Sequence, residues 1–103
     1  MSKVKQLDKL KSEDKFPVSE WAERGLDPSS DQVRLKMNNE VNEFIDFVKT
    51  ILNSTNNDLT ESIQSWLNNW DDSDFEIEEA EYIADVMNKV ITLSGVNPND
   101  ILI

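Results

Sequence analysis

The sequence predicts an all-α fold: a small bundle of three main helices with short helical segments at both ends. Three observations predict it. Apolar residues recur at i, i+3 and i+4 through three long segments, the signature of helices with one buried face. No segment alternates apolar and polar residues as a strand does. The two glycines, Gly25 and Gly95, and the three prolines, Pro17, Pro28 and Pro98, all fall between the periodic segments. With 103 residues the chain makes one domain, 1–103. A domain of that size buries roughly two-thirds of its unfolded surface and needs no metal or disulfide to fold.

Val4, Leu7 and Leu10 predict a short N-terminal helix, ended by Phe16-Pro17 because proline disfavours helix at the preceding residue. Val18, Trp21 and Leu26 then read as anchors that pin a connector to the bundle, completing an N-terminal unit over 1–26. Asp27-Pro28 reads as an N-cap and first-turn pair opening a helix over 28–53. Its stripe is Val33, Met37, Val41, Phe44, Ile45, Val48, Ile51 and Leu52. A polar loop, Ser54-Thr55-Asn56-Asn57, separates it from a helix over 58–70, where Leu59, Ile63, Trp66, Leu67 and Trp70 form a core-facing wedge. Ser73 with Glu76 reads as a capping box for a third helix over 74–94, whose main stripe is Ala80, Ile83, Ala84, Met87, Val90 and Ile91. Gly95 is expected to stop it in the left-handed conformation, with Val96 against Ile91. Asn97-Pro98 opens a last turn in the tail, 97–103, carrying Ile101, Leu102 and Ile103.

Charge is unevenly spread. The chain carries 10 basic and 21 acidic residues, net −11. Residues 1–24 hold six basic and five acidic side chains; residues 25–103 hold four and sixteen. No Lys or Arg occurs from 50 to 88, and eight acids crowd 71–85: Asp71, Asp72, Asp74, Glu76, Glu78, Glu79, Glu81 and Asp85. Such a block repels itself and costs stability unless something offsets it. The helix dipole favours acids at a helix start, which explains Glu76, Glu78 and Glu79. It does not explain Asp85, in the third turn. Tyr82, Val86 and Leu93 form an apolar strip beside Glu78, Glu81 and Asp85. That strip is either covered by a terminal segment or is partner surface, an aromatic anchor rimmed by acids.

The same composition excludes much chemistry. Without Cys or His the chain has no disulfide, no thiol nucleophile, no histidine-based triad and no ordinary zinc site. Two glycines so far apart make no phosphate-cradling loop. A net negative surface disfavours nucleic acid and anionic membranes. No apolar run is long enough to span a bilayer or to follow the N-terminal charges as a secretory signal, so the expected location is the cytoplasm. A glycosidase needs two carboxyls across a cleft, whereas these acids form one cluster. A calcium loop begun at Asp72 places Ile77 at the glycine position and Ile83 at the final glutamate position. Asp72-Ser73 before a helix is similar to the attachment site of acyl carrier proteins, but Asp74 stands where that family has leucine. The expectation is therefore no enzyme and no cofactor.

Several short runs resemble a family of small helical bacterial proteins of uncharacterised function. They are Gly25-Leu26 before the long helix, the acidic break after the tryptophan helix, Glu79-Ala80-Glu81-Tyr82-Ile83, and the ending Ser94-Gly95-Val96 with Asp100-Ile101-Leu102. That resemblance implies a helical bundle. In size, acidity and lack of cysteine the chain is also similar in character to bacterial immunity proteins, which neutralise nuclease toxins. The functional expectation is an acidic protein-binding module whose partner is a basic toxin domain. Its expected binding residues are Asp71, Asp72, Asp74, Glu78, Glu81 and Asp85, with Tyr82 as anchor. The alternative is a bundle acidic for solubility, self-associating as a homodimer.

Overall fold

The computed structural model describes residues 3–53 and 58–101. Five helices follow one another, with no strand among the described residues: α1 (Lys3–Ser12), α2 (Val18–Glu23), α3 (Asp31–Leu52), α4 (Leu59–Asn68) and α5 (Ile77–Ser94), then a 3₁₀ turn, Pro98–Asp100. Helix α3, 22 residues and so roughly 33 Å long at 1.5 Å per residue, sets the long dimension of the molecule. It packs against α5 and α1, and α1 packs against α5. These three carry most of the core, to which Ile63 and Leu67 of α4 and Phe16 and Trp21 also belong. Helix α4 leans on α3 and scarcely meets α5.

The stripe on α3 is fully buried at Met37, Val41, Phe44, Ile45 and Val48, whereas Val33, Ile51 and Leu52, read in the same stripe, are half-buried. The start of α3 differs from its expectation. Ser30, not Asp27-Pro28, is the N-cap, its Oγ accepting from Val33 N at 3.2 Å. Ser29, one residue earlier, instead donates to the Glu79 carboxylate on α5. Helix α4 opens on Asp58, whose Oδ1 accepts from Glu61 N. The capping box of α5 lies three residues later than Ser73 and Glu76. It is Glu76 with Glu79, whose Oε1 accepts from Glu76 N at 2.9 Å. Residues 71–75 form a turn first, with Asp71 Oδ1 accepting from Ser73 N and Asp72 O from Phe75 N. Gly95 does end α5 at φ +93°, but the Val96 N–H is taken by Ser94 Oγ. Leu102 and Ile103, like the loop 54–57, lie outside the described residues; Ile101 is buried.

The N-terminal segment departs most from its expectation. The helix ends at Ser12, well before Pro17, and the connector is itself helical as α2. Lys15 closes α1: its ammonium donates to the carbonyls of Leu10, Lys11 and Glu13, a cation satisfying a helix C-terminus. Asn38 on α3 accepts from Lys15 N, and Asp14 accepts from both Phe16 N and Asn38 Nδ2. These bonds stitch residues 14–16 to α3 and turn Phe16 and α2 over the face of α5. Trp21 is buried there and Leu26 partly, while Val18, read as an anchor, is 51% exposed.

Candidate functional site

The acids that the sequence groups together divide in space. Asp71, Asp72 and Asp74 stand exposed on the turn between α4 and α5, and Glu78 and Glu81 stand exposed on α5. Hydrogen bonding from Ser73 holds the Asp71 carboxyl below its ordinary range, so it stays ionised. Asp85 is exposed but committed elsewhere: Arg24, at the end of α2, pairs with it at 2.7 Å. The missing cation for Asp85 thus comes from 61 residues away.

Tyr82 is not an exposed anchor. It is 3% exposed, beneath Phe16 and Trp21, which meet its ring edge-on at 4.8 and 5.1 Å. Its hydroxyl donates to Glu20 Oε2 at 3.2 Å, and the Arg24 guanidinium lies 4.3 Å from its ring centre. Burial, and then the bond to Glu20, push its pKa up to about 12. Val86 is buried under the same cover, and Leu93 is partly buried. The apolar strip of α5 is therefore covered by the N-terminal segment, and Tyr82 leaves the set of binding residues.

What the fold assembles instead is centred on Trp70. Because α4 packs on α3 and barely on α5, clefts remain on both its sides, and Trp70 lines both. The α3–α4 cleft, about 570 Å³, is walled by Phe47, Trp66 and Trp70 and by the carboxylates of Glu40, Glu43 and Asp71. The α4–α5 cleft, about 430 Å³, runs past Leu67, Ala80 and Ala84, with Asp72 and Glu81 at its sides and Ile77, 77% exposed, at its edge. Ala80 and Ala84, read as core, are cleft wall. Trp66 and Trp70 are only partly buried; Trp66 reaches the core through Phe44, at 4.9 Å between rings.

Two acids of this face, Glu40 and Glu43, were not among the expected binding residues. With Phe47 they lie three and four apart on one strip of α3, beside the buried stripe, and that spacing is legible in the sequence. Burial, then the neighbouring Glu43, and beyond it Asp74 and Asp71, raise the Glu40 pKa against a lowering contribution from Trp70. Trp70 Nε1 is shielded from solvent beside Glu40 without closing a well-formed hydrogen bond. Among the described residues, none of Glu40, Glu43, Asp71, Asp72 and Glu81 is paired with Lys or Arg. Among the described residues no group of three or more acids is arranged to hold a metal ion, and no helix is long and apolar enough to cross a membrane.

Fold and site together define a small all-helical protein with one face where acids and half-buried tryptophans meet. The chain belongs to the family described as Domain of unknown function (DUF4844), whose model matches residues 1–103. No curated protein and no solved structure matches it.

Proposed function

We propose that this protein is a non-catalytic binding module for a basic protein, and most concretely an immunity protein that neutralises a nuclease-type bacterial toxin in the cytoplasm by covering its substrate surface. The observation that carries this reading is the Trp70 face, with five carboxylates from α3, the 71–75 turn and α5 set round two clefts and none of them paired with a Lys or Arg among the described residues. Clustered like charges cost folding free energy, and a partner's Lys and Arg recover it on binding. Half-buried tryptophans beside them supply the aromatic contact area that dominates interface energetics. A toxin that binds nucleic acid is basic for the same reason, so an acidic inhibitor matches its substrate surface.

Homodimerisation through this face is disfavoured, because it juxtaposes two copies of the same unpaired acids. The test is affinity capture from the native host, identification of the captured protein, and assay of its nuclease activity with and without this chain. Stoichiometric inhibition is the expected result. A captured partner that is acidic or neutral, or a basic nuclease whose activity is unchanged, contradicts the reading.

A further inference from the structure

The molecule contains its own example of how an aromatic ring and a carboxylate are satisfied. At Tyr82, one guanidinium does both: Arg24 lies 4.3 Å from the ring centre and pairs with Asp85 at 2.7 Å. The α3–α4 cleft repeats the ingredients without the cation. Trp66 and Trp70 offer indole faces, stronger cation receptors than a phenol ring, and Glu40, Glu43 and Asp71 stand beside them. Among the described residues no Lys or Arg lines that cleft. Its walls are also preformed. Trp66 is braced on Phe44 and Phe47, and Glu40, Glu43 and Phe47 project from the same strip of the long rigid helix α3.

We propose that the α3–α4 cleft is a receptor for one arginine side chain of the basic partner, its guanidinium stacked on the tryptophans and paired with Glu40 and Glu43. Arginine fits better than lysine. Its planar, weakly hydrated head stacks on a ring and offers paired donors to carboxylates, whereas an ammonium stays strongly hydrated. A charged head in a half-open cleft between α3 and α4 leaves its aliphatic stem against Phe47. The inference rests on the reading of this face as the partner surface, and it assigns the cleft's role within that face.

The experiment uses the full chain, labelled with ¹⁵N, and three capped tripeptides: Ala-Arg-Ala, Ala-citrulline-Ala, which keeps the planar head and removes its charge, and Ala-Lys-Ala, which keeps the charge and removes the planar head. Trp21, buried on the far side of the bundle, is the internal control. The arginine peptide should shift the indole N–H signals of Trp66 and Trp70 and leave that of Trp21 in place. The citrulline and lysine peptides should bind at least about fivefold more weakly. Glu40→Gln/Glu43→Gln, which keeps shape and removes charge, should weaken the arginine peptide about tenfold with an unchanged circular dichroism spectrum. Equal responses to arginine and citrulline, or to arginine and lysine, overturn the assignment, as does a double variant that binds like wild type. The two proposals fail separately. If Asp71→Asn/Asp72→Asn/Glu81→Gln abolishes capture of the basic partner while Glu40→Gln/Glu43→Gln does not, the face is the partner surface and the cleft is not its arginine receptor.

Discussion

Two aromatic–acid constellations flank this bundle, and they differ in one component. On the α2 side, Tyr82 lies among Glu20, Asp85 and Arg24, and the ring is covered. On the α4 side, Trp66 and Trp70 lie among Glu40, Glu43 and Asp71, and the rings are partly open. The α2 side is closed because the basic residues of the chain are concentrated in 1–24, and that segment folds onto the neighbouring face of α5. The α4 side is open because the chain from 50 to 88 carries no cation to place there. A cation within reach turns such a constellation into structure; its absence leaves a surface that attracts one. The segregation of charge along the sequence thus becomes a division of labour across the fold.

The comparison predicts a gradient of stability effects. Tyr82→Ala, deleting a ring that Phe16 and Trp21 both pack on, should destabilise by about 3–5 kcal/mol in urea unfolding, as should Phe44→Ala in the centre of α3. Trp70→Ala, at the open side, should cost less, about 2 kcal/mol, since part of its side chain stays exposed in the folded protein. Equal losses at Tyr82 and Trp70 would erase the distinction between the two sides.

Removing the internal cation is a smaller perturbation. Arg24→Met keeps the stem and deletes both the ring contact and the pair with Asp85, and should cost about 1 kcal/mol. Thermal melts of Arg24→Met, Asp85→Asn and the double variant measure the coupling. Additive effects would show that the two groups do not act together.

Titration separates the sides further. The Tyr82 pKa is raised, to about 12, so the folded state favours the neutral phenol. Its contribution is complete below pH about 10 and is lost as pH climbs towards 12. Tyr82→Phe should flatten the alkaline limb of the stability curve over that window. Glu40 is also raised, and it too favours the protonated form in the folded state. Its carboxylate therefore opposes folding at neutral pH, and the opposition fades as pH falls through its raised pKa. Glu40→Gln should raise the melting temperature slightly while weakening cation binding, the trade expected where a binding surface is kept at the expense of stability. A lowered melting temperature would show that Glu40 is held by contacts other than those that raise its pKa.

Local patterns made much of the bundle legible beforehand. The α3 stripe from Met37 to Val48, the start of α4 at about residue 58 and the left-handed Gly95 all follow from rules acting within a few residues. The misplaced helix starts have a tertiary cause. The stretch 27–30 offers several caps, and Ser30 serves because Ser29 is drawn to Glu79 across the bundle. Ser73 looks like a cap, but the turn pinned by Asp71 and closed at Phe75 must finish before α5 begins. The covering of Tyr82 was open in the sequence because its partners lie some sixty residues away, beginning with Glu20 at a separation of 62. The openness of Trp70 has the converse origin. Helical spacing puts it on the inner wedge of a helix running to residue 70, but α4 ends at Asn68 with Asn69 as its C-cap, and Trp70, beyond that end, lines the clefts on both sides of α4.

We propose that the Trp70 face, and not the Tyr82 face, meets a basic partner. Surface plasmon resonance with the protein captured from the native host tests it directly, at about 50 and 300 mM salt, where the screening length falls from roughly 14 to 6 Å. The association rate should drop about tenfold or more between the two for wild type. It should already be slow and nearly salt-independent for Asp71→Asn/Asp72→Asn/Glu81→Gln, with Asp85→Asn behaving as wild type. A salt-insensitive rate, or a loss of association in Asp85→Asn that matches the triple variant, would contradict the account.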